Sequence, residues 1–153
     1  MATTHLQQQI LTALAATLVA AGTAAGSRVY VDHPDDLTPA QLPALVLQPG
    51  DEAVQTQGMA GIRALQDRAF LLDITAVCGG SGAAAAARDL GRAVEVALYA
   101  TDTTATAGGL CRPVELQGSS PSVNGTTSQV VAELRQTWRI TYATQSGVPH
   151  ATA

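Results

Sequence analysis

The sequence predicts an α+β fold: a small single-domain sandwich, its sheet mostly antiparallel or mixed, with two helices packed on one face. Three observations lead there. Apolar residues recur every third or fourth position near 4–21 and 82–100, which is the helical period. Two long segments, 65–78 and 129–144, alternate apolar with polar residues, the period of a half-buried strand. A strand of that kind keeps one wet face, unlike the doubly buried strands of a parallel sheet, so both helices belong on the other side.

The first helix, 4–21, carries Leu6, Ile10, Leu14 and Leu18 at every fourth position, with Leu11 and Ala21 widening the stripe. Thr4 and Gln7 have capping-box spacing, and Gly22 supplies the stop. A short strand, RVYVD at 28–32, precedes a polar turn at 33–43 punctuated by Pro34, Pro39 and Pro43. A second strand, 44–50, closes on Pro49-Gly50, and the polar stretch 51–61 reads as a protruding loop or hairpin end.

In the strand at 65–78, Phe70, Leu72, Ile74, Ala76 and Cys78 share one face, opposed by Leu71, Asp73, Thr75 and Val77. The second helix, about 82–100, presents Ala83, Ala86, Ala87, Leu90, Val94, Ala97 and Leu98 to the sheet and Arg88, Asp89, Arg92 and Glu95 to water. A helix lined with alanine can approach a sheet closely. Residues 101–109 read as a loop, 110–116 as a short edge strand because of Pro113, and 117–128 as a long polar loop with a tight turn at Asn124-Gly125. The closing strand sets Val130, Ala132, Leu134, Trp138, Ile140 and Tyr142 against Glu133, Arg135, Thr137, Arg139 and Thr141. The tail from Gln145 to Ala153 has no periodicity and reads as loose.

At 153 residues the chain fits one domain, and its net charge is −4 with no lysine among its eight basic residues. That composition argues against a broad basic surface for nucleic acid, which rests on many phosphate contacts. Arginine alone suits bidentate contacts to carboxylates at protein interfaces. Cys78 and Cys111 lack metal-ligand spacing and read as buried thiols, with a disulfide between them left open. The apolar run at 10–26 resembles a signal-peptide core but has no basic residue before it, and it falls short of the roughly 20 residues needed to span a bilayer. The expectation is a soluble, intracellular protein, in which the sequon Asn124-Gly125-Thr126 is a chance match.

The most suggestive chemical motif is Gly80-Ser81-Gly82-Ala83-Ala84-Ala85, which fits the G-x-G-x-x-G/A pattern of dinucleotide-binding loops. Its context is wrong. The strand before it is two-faced, Asp102 follows the helix with no intervening strand, and no lysine exists for a Walker loop. The corner is therefore expected to be a turn with Ser81 as N-cap. Asp32-His33-Pro34-Asp35-Asp36 contains possible metal ligands, but the run is local and proline-broken and reads as a solvated turn. His5 and His150 read as surface residues. Asp67 and Asp73 on one strand and Glu133 on another fall on faces taken as wet, and no catalytic, cofactor or metal site is expected.

Several stretches in order resemble the tail-terminator proteins of long-tailed bacteriophages, the lambda-type minor tail proteins that cap the tail tube. They are THLQQQILTALAA at 4–16, RVYVDHPDDLTPAQLPALVLQPGDE at 28–52, AFLLDITAVCGGS at 69–81 and VAELRQTWRITYAT at 131–144. The region 101–128 is unusually long for that family. The resemblance implies a non-enzymatic virion protein of the tail or neck, present in the host cytoplasm during assembly. It implies a homo-oligomeric ring, typically a hexamer, that stops tube polymerisation. Its partners would be the tail tube protein and the head-completion or stopper proteins. DNA would pass through the lumen without specific binding, and no membrane or cofactor is involved. Candidate subunit or tube contacts are Asp51, Glu52, Arg63, Asp67, Arg68, Glu133, Arg135 and Arg139. Polar loops at 51–62 and 117–128 would order on contact. The alternatives are a head–tail connector or adaptor of the neck and a small nucleotide-binding enzyme using the glycine corner.

Overall fold

A computed structural model describes residues 4–33, 36–58, 63–126 and 129–153. Helix α1 (Leu6–Ala20) is followed by strands β1 (Val29–Val31), β2 (Ala44–Thr56) and β3 (Leu65–Gly79), then helices α2 (Ala83–Leu98) and α3 (Asp102–Ala105). Strands β4 (Glu115–Thr126) and β5 (Gln129–Gln145) complete the chain. The five strands form one mixed sheet in the order β1-β2-β3-β5-β4. Only β1 and β2 run parallel as neighbours; the other three pairings are antiparallel. The α+β sandwich is the one the alternation predicts.

The inner face is set by the parity of β3 and β5. Phe70, Leu72, Ile74, Ala76 and Cys78 are buried together with Ala132, Trp138, Ile140 and Tyr142, and α1 contributes Leu6, Ile10, Leu11, Leu14 and Leu18 to the same core. From α2 come Ala83, Ala87, Leu90, Val94, Ala97 and Leu98. Ala86, assigned to this stripe by spacing, is exposed. Helix α2 packs tightly on the sheet at a glycine: a Cβ on Gly91 would lie 2.4 Å from Leu134 Cδ2. There the buried Gln136 amide donates through Nε2 to the Gly91 carbonyl at 2.9 Å.

Several boundaries differ from expectation. The N-cap of α1 is His5, whose Nδ1 accepts from the Gln7 amide at 3.1 Å, and not Thr4. Residues 51–56 are strand, because β2 passes through a bulge at Pro49–Glu52 and continues to pair with β3. Residues 59–61 of the protruding loop or hairpin end expected at 51–61 lie outside the described residues. Residues 102–105 are helical, nucleated by a capping box in which Thr101 Oγ1 accepts from the Thr104 amide. The segment read as a polar loop at 117–128 is mostly strand: serines, Pro121 and Asn124 sit on an edge, where one ladder partner suffices. Asn124 and Gly125 face Val131 and Val130 in that ladder and are strand, not the expected tight turn.

The C-terminal tail is not loose. Leu6 donates to the Pro149 carbonyl at 2.8 Å, Gln9 Nε2 donates to the His150 carbonyl at 2.9 Å, and Ala153 donates to the Ala143 carbonyl at 3.0 Å. These bonds tie the chain end to the start of α1 and to β5. Both cysteines are free and buried. Burial raises both thiol pKa values, that of Cys111 to about 11, so neither is poised for chemistry.

Candidate interaction surfaces

Among the described residues no α-helix lies over the outer face of the sheet. Its wet character at the centre follows the predicted alternation. Arg135 and Arg139 are exposed, with Arg139 opposite Leu71 on β3 and Glu115 on β4. Neither arginine makes an ion pair within the described residues. Asp73 accepts from Thr137 Oγ1 at 2.9 Å across the β3–β5 ladder, and Leu71 beside it is 48% exposed. Asp67 accepts from Gln57 Nε2 at 2.6 Å and lies 3.7 Å from the exposed Arg112 guanidinium.

One end of this face is covered. Val77, assigned to the wet side, is buried, as is its ladder partner Ala44. The segment 36–43 folds over them and leaves an open cleft of about 470 Å³ lined by Leu37, Leu42, Val46, Thr75, Val131 and the half-buried Glu133.

Glu52 and Arg68 are not on the wet side. Both lie on the inner face, where the Arg68 Nη1 and Glu52 Oε2 atoms are 3.1 Å apart with side chains 14% and 18% exposed. Arg68 Nε donates to the buried Thr144 hydroxyl at 2.9 Å, and Nη2 to Gln66 Oε1 at 3.1 Å. The Tyr142 hydroxyl donates to the second Glu52 oxygen. Burial first, and then the Glu52 carboxylate, push the Tyr142 pKa well above the usual tyrosine range. This network satisfies every charge it contains within the chain, so it closes the core end of the sheet and does not await a partner. Sequence reasoning missed Tyr142 and Thr144 as members. Asp51, next to it, is exposed, and Arg63 is an exposed residue with φ 64° at the hairpin end.

At the glycine corner, Gly80 and Gly82 have φ of +83° and +72°, and a Cβ on either would meet nothing within 4 Å. The glycines therefore serve the left-handed turn, with no close approach to a ligand or neighbour. Gly82, not Ser81, is the N-cap of α2, and no side chain caps it. The adjoining cleft, about 400 Å³, is lined by Pro39, Leu42, Pro43, Cys78, Val130 and Val131 among others, with no arginine in its wall. Such a wall is ill suited to a pyrophosphate. The strand leading in, β3, has antiparallel neighbours on both sides, so the frame of a dinucleotide-binding half is missing there.

Among the described residues, no group of three or more His, Cys, Asp or Glu side chains is placed to hold a metal ion. No described helix is long and apolar enough to cross a membrane. In comparisons with known proteins, no protein-family model and no curated protein matches the chain.

Proposed function

We propose that this chain is a structural subunit of a bacteriophage tail, a tail terminator that assembles as a ring, caps the tube and offers a surface to the head-completion proteins. The observation that carries this reading is the division of the sheet into one sealed face and one open face. The aromatic and most of the bulky aliphatic side chains of both long strands (Phe70, Leu72, Ile74, Trp138, Ile140 and Tyr142) are committed to the helix side, while the centre of the other side presents Arg135 and Arg139, without an ion pair in the described residues, beside the exposed Leu71. That is the surface of a part made to be packed against others.

The shape of the strands supports it further. A 17-residue strand such as β5 extends about 56 Å, whereas the 16 residues of α2 cover about 24 Å. The sheet thus outruns its helices. The last pairs of the β2–β3 and β4–β5 ladders, Thr56 with Gln66 and Thr126 with Gln129, lie at opposite ends of it, giving one subunit two distinct end surfaces, as a ring between tube and head requires. The element order (helix, short strand, strand, long strand, helix, closing strand) runs through the same blocks of sequence that resemble the tail terminators. A net charge of −4 suits a lumen through which DNA slides without sticking.

The test is tube length. Purified chain added to polymerising tube protein of the same phage is expected to arrest growth and leave a ring at one tube end in electron micrographs. Deleting the gene is expected to leave heads intact and tails overlong. Tubes of unchanged length with the protein, together with normal tails without it, refute the reading.

A further inference from the structure

The sheet has two unpaired edges as well as an open face. Strand β1 covers only Leu45–Leu47 of β2, so from Gln48 to Thr56 that side of β2 has no strand partner within the described residues. The opposite edge is β4, twelve residues long. Among its described backbone amides, only that of Leu116 is taken up on the outward side, by the Tyr99 hydroxyl at 3.1 Å. Backbone groups along an antiparallel edge point alternately inward and outward. Continuing that alternation from the β2–β3 and β4–β5 ladders turns Glu52, Val54 and Thr56 outward on one edge, and Ser119, Val123 and Gly125 on the other. Long exposed edges are usually blunted by brevity, lysine or cover. These are long, uncovered and without lysine; Pro49 and Pro121 interrupt them once each.

Two further features match across the edges. Each carries one exposed valine, Val54 at 48% and Val123 at 59%. Both lie on the helix side of the sheet, opposite Arg68 and Ala132 respectively. Beside Val123 is a shallow depression walled by Ala84, Pro121 and the exposed, unpaired Arg88. Direction matches too. Strands β2 and β5 run against β3, and β4 runs against β5. Two copies in one orientation therefore bring β4 of the first antiparallel to β2 of the second, and because Val54 is level with Tyr142 of β5 and Val123 with Ala132, their pairing sets the copies about 33 Å apart along the strands.

We propose that copies of this chain join edge to edge, β4 of one to residues 48–56 of β2 in the next, with Val123 packed on Val54. The proposal rests on the ring reading above and supplies its subunit contact. Because the two edges differ, the contact is heterologous and repeats from copy to copy until it closes. Pairing of β4 with a second β4 would be isologous and would end at a dimer.

The experiment uses the full chain in three cysteine forms: Val54→Cys, Val123→Cys, and the two mixed. Oxidation followed by gel and peptide mapping is expected to give a 54–123 disulfide between chains only in the mixture. The wild-type chain gives none, since Cys78 and Cys111 are buried. Val54→Asp and Val123→Asp, each folded by circular dichroism, are expected to abolish oligomers seen by native mass spectrometry. A 123–123 disulfide as the main product overturns the proposal in favour of the isologous dimer. So does a wild-type chain that stays monomeric at about 1 mM, where even weak contacts are populated. If that monomer still caps tubes, the edge pairing fails while the terminator reading stands.

Discussion

Gly91→Ala tests how the fold is packed, because two known effects oppose each other at that position. In an exposed helix interior the change would stabilise by about 1 kcal/mol, through the backbone entropy that glycine loses on folding. At Gly91 the new methyl would lie 2.4 Å from Leu134 Cδ2 and 3.4 Å from Gln136 Nε2. Carbon atoms settle at about 3.5–4.0 Å, so Leu134 must move by more than 1 Å or α2 must lift. Overpacking of this kind costs about 1–3 kcal/mol. Lifting the helix would also stretch the buried Gln136–Gly91 hydrogen bond, a further loss of about 1 kcal/mol. Leu134 is half-buried and can swing partly aside, which favours the lower end. The net expectation is a destabilisation of about 1 kcal/mol, or a fall in Tm of about 2–4 °C for a chain of this size.

The decisive comparison is the same change made in Leu134→Ala, where the obstructing atoms are gone. There Gly91→Ala is expected to become neutral or stabilising, giving a coupling of about 1–2 kcal/mol in a double-mutant cycle. Urea titration with a constant m-value is the measure. A Gly91→Ala that stabilises the wild type, or a coupling near zero, would refute the close approach of α2 to β5.

Three other outcomes are expected. Arg68→Met, which strands Glu52 in a pocket only 18% exposed, should cost about 2–3 kcal/mol, and Arg68→Met with Glu52→Leu should cost less than the sum of the singles; additive costs in urea melts would show that the pair is merely solvated. Alkali should unfold the protein: Cys111 and Tyr142 both have native pKa values raised above their unfolded ones, so the stability they hold is complete below the unfolded values, near 9 and 10, and is lost as pH rises through the native ones, at up to about 1.4 kcal/mol per pH unit for each group. Cys111→Ala should flatten the stability curve between about pH 9 and 11, and a curve unchanged by that substitution would count against the buried thiol. Arg135→Glu and Arg139→Glu should leave the monomer's stability within about 0.5 kcal/mol of wild type while reducing assembly on the tube, and unimpaired capping would make both arginines solubility residues only.

How much of this was legible in the sequence depends on what each residue's neighbours had to be. The inner face could be read because strand parity alone determines it: Phe70, Leu72, Ile74 and Trp138, Ile140, Tyr142 fall together whichever strand lies beside them. The same parity places Arg68 on that face, since it is two residues from Phe70. Its charge suggested water, and only the position of Glu52 reverses that inference. Glu52 reaches the inner face through a bulge at Pro49–Glu52, and a bulge shifts parity by one residue with no mark in composition beyond a Pro-Gly that also signals a turn. Strand β4 was lost for a related reason. Its serines, glycines and proline have low strand propensity, and they form a strand here because β5 offers a complete ladder to lie against.

The same distinction separates what supports the ring from what does not. Of the residues expected at subunit contacts, Glu52 and Arg68 are consumed by each other and Asp67 is engaged by Gln57 and Arg112. Asp51, Arg135 and Arg139 remain exposed without an ion pair in the described residues. A charge already satisfied inside its own chain gains little from a neighbour, whereas an exposed one keeps its full capacity to fix register and orientation. The groups with most to gain are not charges at all. They are the backbone donors and acceptors of two sheet edges and the valines beside them, which no sequence pattern advertises, because an edge is defined by the strand that is missing.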